Sequence, residues 1–266
     1  MSEVGKFTQP DHSGDPKYFI KFLEMVDRLP GADDVRARSY AQMRIGSGSA
    51  VLDAGCGIGT AVRELANLVG PKGSASGLDI SDAMIAEARA RAAGRLNVEF
   101  CTGNVCDLPY PDQSFDAVRT ERVMLYLPSR EKAVSEMIRV TKPGGRVVIS
   151  DTDIDSTAIT GKDRLQTRKI TSLIADTFVN PNSARELFGL LQHCGLADVS
   201  VEVMALQSTH EFCVHATQGA VRAAVIDGKL TQAEADEWYR GLAELEMAGE
   251  FMQLWFFAIA GGTVTY

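Results

Sequence analysis

The chain alternates short apolar runs with longer segments of helical spacing between residues 49 and 152. The short runs are rich in Val, Ile, Leu and Phe, which is typical of buried strands. In the segment 60–70, apolar residues recur every three or four positions before a Gly-Pro pair ends the pattern. The predicted strands are 49–55, 74–80, 97–104, 114–121 and 146–152, and the predicted helices are 60–70, 81–94 and 129–141. This alternation predicts an open parallel sheet with right-handed crossovers and helices on both faces.

The flanking segments have a different pattern. Residues 15–45 show helical spacing that Pro30 interrupts, which predicts a pair of helices. After Asp151 two apolar runs, 197–209 and 251–266, predict late strands that pair antiparallel at one edge of the sheet. Helical patterns fill much of the rest, at 152–178, 182–196 and 217–249. We therefore expect an α/β fold: a seven-stranded, mostly parallel sheet with helices on both faces, an antiparallel last strand, and helical lid elements towards both ends.

The second half continues the same domain in this interpretation. Residues 1–45 are predicted to form an N-terminal helical lid, and residues 46–266 a single larger domain. Within that domain we expect a ligand-binding core at 49–152, a pocket and cap region at 153–250, and the last strand at 251–266.

Composition and charge narrow the class of partner. The 266 residues are 45% hydrophobic and 23% charged, as in globular proteins, and no apolar run approaches the roughly 20 residues that cross a bilayer. We expect a cytoplasmic protein with no membrane partner. The net charge of −8 argues against nucleic acid, whose binding depends on clustered Lys and Arg. Five scattered cysteines without a CxxC pair predict no metal site. A small molecule is the expected partner, and the chain is either a monomer or a homodimer.

The stretch "AVLDAGCGIG", residues 50–59, carries three alternate glycines after a predicted strand. Glycines at such a place let the backbone turn sharply and approach a ligand, and the helix that follows offers free N–H groups. Dinucleotide sites use the spacing GxGxxG, but Thr60 occupies the place of the third glycine. Asp53 puts a negative charge where a phosphate would be repelled. The stretch therefore favours a cationic or zwitterionic ligand.

A second carboxylate, Asp79, ends the next predicted strand, where an acidic side chain can bind both hydroxyls of a ribose. A ribose, a positive charge and no phosphate describe S-adenosylmethionine. Two other interpretations stay open. Asp53 and the glycines could form only a tight turn, and Asp79 could cap the helix that starts near Ser81.

Four ordered motifs resemble the class I S-adenosylmethionine-dependent methyltransferases, most closely the branch that methylates small molecules such as natural products. The motifs are "VLDAGCGIG", "GLDIS", "GNVCDLPYPDQSFDAV" and "VTKPGGRVVISD", between about residues 50 and 152. The resemblance implies a Rossmann-like fold, S-adenosylmethionine as the cofactor and a small-molecule acceptor.

The resemblance also implies binding roles for individual residues. Ala54, Gly55 and Gly57 would contact the methionine part of the cofactor, and Asp53 would reach its amino group. Asp79 would bind the ribose hydroxyls.

Five further residues would complete the cofactor site. Ile80 would cover the adenine face. Asn104 stands where the family most often has Asp, and it would accept a hydrogen bond from the adenine amino group, with the backbone N–H of Val105 beside it. Glu121 and Arg122 would lie near the transferring methyl group, although they could also form an ordinary ion pair.

The acceptor chemistry is less defined by the sequence. We expect methylation of a small hydrophobic metabolite by in-line displacement, on oxygen before nitrogen or carbon. If a general base takes part, the candidates are Glu121, Tyr126, Asp151, Asp153, His210 and His215. The alternatives are a cofactor-binding protein of the same fold that does not methylate and, less compatible with Asp53 and Thr60, a nicotinamide dehydrogenase.

Overall fold

The computed structural model describes Asp11 and residues 16–265. The helices of this part are α1 (Pro16–Asp27), α2 (Ala32–Met43), α3 (Thr60–Val69), α4 (Asp82–Arg91), α5 (Arg130–Val140), α6 (Arg164–Ala175), α7 (Ser183–His193), α8 (His210–Ile226) and α9 (Gln232–Met247). The strands are β1 (Ala50–Ala54), β2 (Ser74–Asp79), β3 (Val98–Thr102), β4 (Phe115–Glu121), β5 (Thr141–Ile159), β6 (Ala197–Ser208) and β7 (Gln253–Thr263).

The strands form one seven-stranded sheet in the order β3-β2-β1-β4-β5-β7-β6. Neighbours from β3 to β5 pair in parallel, whereas β7 runs antiparallel to both β5 and β6. The predicted parallel core, the antiparallel last strand and the pairing of the two late strands are confirmed. The strand order reverses between β1 and β4, and open sheets of this kind bind ligands at the carboxyl ends beside that reversal.

The predicted apolar faces lie in the core. The α3 residues Val62, Leu65, Ala66 and Val69 are buried, and one core cluster joins them to residues of the sheet and of α1 and α2. A second cluster on the other face of the sheet holds α5 and α7. The two N-terminal helices thus share the main core, and the division into a lid at 1–45 and a domain at 46–266 stays a prediction.

The prediction of helix from residue 152 onward was wrong at its start. Strand β5 continues to Ile159 and pairs with β7 through Ala158 and Leu254, and α6 begins only at Arg164. The reason is local: five of the nine residues from 152 to 160 are β-branched, which favours a strand, and the pairing with β7 shifts register between Asp153 and Ala158.

The helical segment predicted at 217–249 begins earlier and divides in two. Helix α8 starts at His210, because the Thr209 side chain accepts a hydrogen bond from the backbone N–H of Phe212 at 3.1 Å. Helix α9 starts with a capping box formed by Thr231 and Glu234. Helices α6, α8 and α9 share a separate apolar cluster, so they pack on one another as a cap.

Candidate functional site

A cavity of about 490 Å³ opens at the carboxyl ends of the parallel strands. Its lining residues come from two sets of segments. The first set, called the glycine lobe, comprises lining residues from 53–61, 79–80, 104–106 and 119–123. The second set, called the apolar lobe, comprises lining residues from 152–159, 171–178, 216–217 and 253–255. The segment 125–132 lines the cavity as well, as do Phe22, Leu23 and Asp27 of α1 and Met84 of α4. A volume of this size is typical of small-molecule sites.

The glycine turn after β1 requires the absence of side chains. Gly55 and Gly57 have φ angles of 87° and 50°, in the left-handed region that favours glycine. A Cβ atom at Gly55 would lie 2.3 Å from Cγ2 of Val123, and one at Gly57 would lie 2.8 Å from Cδ1 of Leu23. The turn therefore packs closely against the segment after β4, and its backbone is open to the cavity.

Helix α3 points its N-terminal end at the same cavity. Its first residues, Thr60 and Ala61, line the cavity, and no side chain caps the helix at Gly59. The first N–H groups of a helix lack partners within the helix and carry partial positive charge. This end can therefore bind an anionic group such as a carboxylate.

Asp79 ends β2 with both carboxylate oxygens facing backbone donors. Oδ2 accepts a hydrogen bond from the N–H of Gly57 at 2.8 Å, and Oδ1 accepts one from the N–H of Ser81 at 3.0 Å. The cap of α4 is the Ser81 hydroxyl, which accepts from the N–H of Met84 at 3.2 Å. Asp79 thus stabilises the glycine turn, and since a carboxylate has about four acceptor positions, it retains capacity for ligand hydroxyls.

A buried cation, Arg119, joins two of the predicted acidic residues. The side chains of Arg119, Asp53 and Glu121 are 1%, 4% and 13% exposed. Arg119 donates to Asp53 Oδ1 at 3.1 Å through Nη1 and to Glu121 through Nη2. All three residues line the cavity. The floor of the glycine lobe is therefore a carboxylate–guanidinium–carboxylate network.

Burial and the charges of this network shift the pKa values of its carboxyl groups in opposite directions. Burial raises the pKa of Asp53 to about 6, against the attraction of Arg119. Burial would also raise the pKa of Glu121, but the positive charges of Arg119 and Arg122 hold it below its usual range. Burial likewise raises the pKa of Asp79, against the hydrogen bonds from Ser81 and Gly57. At neutral pH both Asp53 and Glu121 are carboxylates.

Sequence reasoning missed Arg119 as a site residue. It lies on β4 with Glu121 two positions later, so both point to the same face of a strand that is otherwise buried. Two charged residues on one face of a buried parallel strand are unusual, because such strands are nearly all apolar. That pattern could have identified the pair.

The sequence left open whether Glu121 and Arg122 lie in the site or form an ordinary ion pair, and in the structure they do both. Arg122 Nε lies 3.4 Å from Glu121 Oε1, so the two form an ion pair, and both line the cavity.

The remaining residues predicted for the cofactor occupy different places. Ile80 lines the cavity and is 49% exposed, which is unusual for so large an apolar side chain. Val105 and Asn104 also line it, and Asn104 Oδ1 accepts a hydrogen bond from the N–H of Cys106 at 2.8 Å. Ala54 is fully buried at the end of β1 and does not line the cavity.

The apolar lobe holds no charged side chain among its lining residues. Its walls are built by the end of β5, by α6, by the start of β7 and by α8. The lining residues are Thr152, Ile154, Thr157, Ile159, Thr171, Ile174, Phe178, Ala216, Thr217, Gln253 and Trp255. The lobe suits a ligand with a hydrophobic body and few polar groups.

The structure does not bring the two candidate histidines to the cavity. His210 and His215 lie on α8 rather than beside a strand, and neither lines the cavity. The His215 ring stacks on Tyr18 with 4.7 Å between centroids, and the His210 ring packs edge-on against Phe251 at 5.4 Å.

The aspartates considered as bases have structural partners. Asp151 accepts hydrogen bonds from the N–H of Leu125 at 2.9 Å and from the Ser183 hydroxyl at 2.8 Å, so it fixes the segment after β4. Asp153 pairs with Arg185. Neither aspartate lines the cavity.

Tyr126 does line the cavity. Burial raises the pKa of its phenol above the usual range, against the attraction of Arg122. Of the candidate bases, Glu121 and Tyr126 therefore reach the cavity, and neither has a pKa suited to accept a proton at neutral pH.

Asp11 and residues 16–265 contain neither a metal-ligand cluster nor a membrane-spanning helix. No cluster of three or more potential ligands for a metal ion occurs in this part of the chain. Its helices also lack the combined length and hydrophobicity that a membrane span requires.

The sequence of the chain is similar to those of known methyltransferases. A family model described as a methyltransferase domain matches residues 45–203. Demethylmenaquinone methyltransferase of Desulfitobacterium hafniense is 30% identical over 188 residues, which cover 64% of this chain and 74% of that protein. The chain spans about half the length of other curated relatives that it matches, 52% and 51% in two of them.

Solved structures share the fold at low sequence identity. Phosphoethanolamine N-methyltransferase 2 of Haemonchus contortus, solved with S-adenosylhomocysteine, has a TM-score of 0.64 and 19% identity, covering 99% of this chain and 61% of that one. The cyclase SpnF has a TM-score of 0.57 and 20% identity, covering 88% and 82%.

Proposed function

The chain belongs to the class I S-adenosylmethionine-dependent methyltransferases, and we propose that it methylates a small hydrophobic acceptor, on an oxygen atom. The observation that carries this proposal is the joining of two unlike lobes in one cavity of about 490 Å³. The glycine lobe offers carboxylates and an open backbone, whereas the apolar lobe offers uncharged walls. A cationic nucleoside cofactor fits the first lobe, and a hydrophobic acceptor fits the second.

The residues of the glycine lobe fit the cofactor. Gly55 and Gly57 line the cavity without side chains, so the methionine part can lie against the backbone of the turn. Asp53 would bind the ammonium group, and Asp79 the ribose hydroxyls.

The adenine and carboxylate ends of the cofactor also have suitable partners. Ile80, exposed and apolar, would cover the adenine ring, next to Asn104 and Val105. The uncapped start of α3 at Thr60 would bind the methionine carboxylate. When bound, S-adenosylmethionine supplies an electrophilic methyl group on a positively charged sulfur that is a good leaving group.

The protein's part in the transfer is to orient and desolvate the acceptor. The apolar walls exclude water, and alignment of an acceptor atom with the methyl carbon can supply much of the rate. Demethylmenaquinone, in the name of one relative, is a quinone, which agrees with a flat hydrophobic acceptor.

The test is transfer of an isotope-labelled methyl group from S-adenosylmethionine to a panel of hydrophobic metabolites, which includes phenols, amines and activated carbon acids. We expect a labelled methyl ether, identified by mass shift and by the chemical shift of its methyl group. The Asp79→Ala variant serves as the control with impaired cofactor binding. Label on nitrogen or carbon would correct the acceptor atom. Tight binding of S-adenosylhomocysteine with no transfer to any acceptor would favour the non-methylating alternative.

A further inference from the structure

Arg122 is held in an unusual backbone conformation beside the cavity. Its φ angle is 55°, in the left-handed region that residues with a Cβ rarely adopt. Its N–H donates to the carbonyl oxygen of Ser150 at 2.8 Å, which fixes the start of the loop after β4. Such conformations cost free energy and cluster at functional sites. The next residue, Val123, packs on the glycine turn at Gly55, so Arg122 lies where the glycine lobe meets the segment after β4.

The Arg122 guanidinium has donors to spare. Its side chain is 17% exposed, and Nε is 3.4 Å from Glu121 Oε1. Among Asp11 and residues 16–265, no side chain or carbonyl oxygen accepts a hydrogen bond from its Nη1 or Nη2. The other buried cation of the cavity, Arg119, uses both Nη atoms on Asp53 and Glu121. Lys132, the third cation among the lining residues, is an exposed residue of α5.

Arg122 is not the sole candidate partner for the cofactor carboxylate among the cavity's lining residues. The uncapped N-terminal end of α3 lines the cavity at Thr60 and Ala61 and can bind that carboxylate. Arg122 is therefore available to the second ligand.

An oxygen acceptor needs a way to lose its proton, and the cavity lacks a suitable base. Glu121 is committed to Arg119 and Arg122, and Tyr126 is a phenol held in its neutral form. The charged groups around Arg122 are Glu121, which it contacts, Arg119 beyond it, and the buried Asp151. A cation with free N–H groups offers the other route, because it stabilises an oxygen anion.

We propose that Arg122 binds the ionised hydroxyl oxygen of a phenol or enol acceptor and thereby makes a general base unnecessary. This inference rests on the proposed O-methylation. The hydroxyl proton leaves to solvent, and the oxygen anion forms the bond to the methyl carbon. The carbon–sulfur bond breaks with its electron pair on sulfur, and a neutral thioether and a methyl ether are the products. No other reactant is required.

The test uses 4-nitrophenol, whose anion absorbs visible light, bound to the complex of the protein with S-adenosylhomocysteine. We expect wild type to lower the pKa of bound 4-nitrophenol by at least about one unit, as a cation within hydrogen-bond distance does. Arg122→Gln should remove the shift, and Arg122→Lys should restore part of it. Arg44→Gln is the matched control, since Arg44 also has a left-handed φ of 51° but is exposed at the end of α2. Thermal unfolding checks that every variant is folded.

A second measurement distinguishes the two anions that Arg122 could bind, the carboxylate of the cofactor and the phenolate of the acceptor. If Arg122 binds the acceptor, Arg122→Gln leaves the affinities for S-adenosylhomocysteine and for 5′-methylthioadenosine, which lacks the amino acid part, equally unchanged. A selective loss of affinity for S-adenosylhomocysteine would assign Arg122 to the cofactor and overturn the proposal.

Three other results would also overturn it: an equal pKa shift in wild type and Arg122→Gln, no shift in wild type, or no uptake of 4-nitrophenol. Failure of the proposed O-methylation has a different signature, namely label transfer to nitrogen or carbon acceptors, or to none, in the wild-type protein.

Discussion

The glycine lobe and the apolar lobe of the cavity hold their side chains in different ways. In the glycine lobe, charged groups are buried and each is fixed by a named partner, as Asp79 is by the N–H groups of Gly57 and Ser81. In the apolar lobe no lining side chain is charged, and packing is more prominent: Trp255 lies edge-on against Phe212 with 5.0 Å between ring centroids.

The two lobes also differ in how the chain assembles them. Residues of the glycine lobe lie at or shortly after the carboxyl ends of β1, β2, β3 and β4, within short stretches of sequence. Residues of the apolar lobe come from β5, α6, α8 and β7, which lie up to about a hundred positions apart. Because the glycine lobe depends on electrostatic partners and backbone turns, we expect single substitutions there to have large effects. Substitutions in the apolar lobe should have small effects on the glycine lobe. This difference suits an enzyme that keeps one cofactor and adapts its acceptor pocket.

The largest effect is expected from Arg119→Met. The variant leaves the carboxylates of Asp53 and Glu121 buried without their cation, and loss of one partner from a buried ionic network costs about 3–5 kcal/mol. We expect this decrease in the free energy of unfolding at neutral pH, measured by urea denaturation. Arg95→Met is the control, because Arg95 is exposed and bonds to Asn67 at the surface. Equal stability of the two variants would show that the network does not stabilise the glycine lobe.

The next effect is on cofactor affinity through Asp79. Asp79→Ala should weaken S-adenosylhomocysteine binding more than tenfold, because the ribose hydroxyls lose their acceptor and the N–H of Gly57 loses its partner. Calorimetry measures the dissociation constant. Asp82→Ala, which removes an exposed carboxylate three residues along, should leave it unchanged. An unchanged dissociation constant in Asp79→Ala would place the ribose elsewhere.

The pH dependence of cofactor affinity should distinguish the role of Asp53 from that of the other residues of the glycine lobe. Burial raises the pKa of Asp53 to about 6, so the carboxyl is charged above that pH and becomes neutral as the pH falls through it. A neutral Asp53 no longer attracts the cofactor ammonium. The affinity for S-adenosylhomocysteine should therefore fall about tenfold between roughly pH 7 and pH 5. Adenosine, which lacks the ammonium, should show a smaller decrease, and an equal decrease for both ligands would exclude Asp53 as the cause.

The smallest effect is expected in the apolar lobe. Ile174→Ala removes apolar surface from the cavity wall, and we expect about fivefold weaker binding of 1-naphthol to the complex with S-adenosylhomocysteine. The affinity for S-adenosylhomocysteine itself should stay the same. Leu173→Ala is the control, because Leu173 packs in the cap cluster beside Ile174 but does not line the cavity. A change in cofactor affinity in Ile174→Ala would mean that the two lobes are not independent.

The sequence was most informative where function depends on backbone geometry. The three alternate glycines, Asp53 before them and Asp79 at the next strand end could be placed from spacing alone, because parallel strands bring their carboxyl ends to one edge. The structure brings Gly55, Gly57 and both carboxylates together around the cavity, and Gly59 is the N-cap of α3. Their contacts with the cofactor stay predictions.

Side-chain orientation on helices and the pairing of distant segments could not be read from spacing. His210 and His215 were proposed as bases because of their chemistry, but the rotation of α8 directs them away from the cavity lining. The β5 extension that carries Ile154 and Ile159 was predicted as helix, because its β-branched residues adjoin a helical pattern and its partner strand β7 lies almost a hundred residues later. Arg119 was overlooked although its spacing from Glu121 indicates a shared face, because its other partner, Asp53, lies on a different strand.

A crystal structure of the complex with S-adenosylhomocysteine tests the central claim most directly. The account predicts that the ribose contacts Asp79 and that adenine lies on Ile80. It also predicts that the sulfur atom lies near Arg122 and faces the apolar lobe. A sulfur atom directed away from Ile154, Ile174 and Trp255, or a cofactor bound outside the glycine lobe, would contradict it.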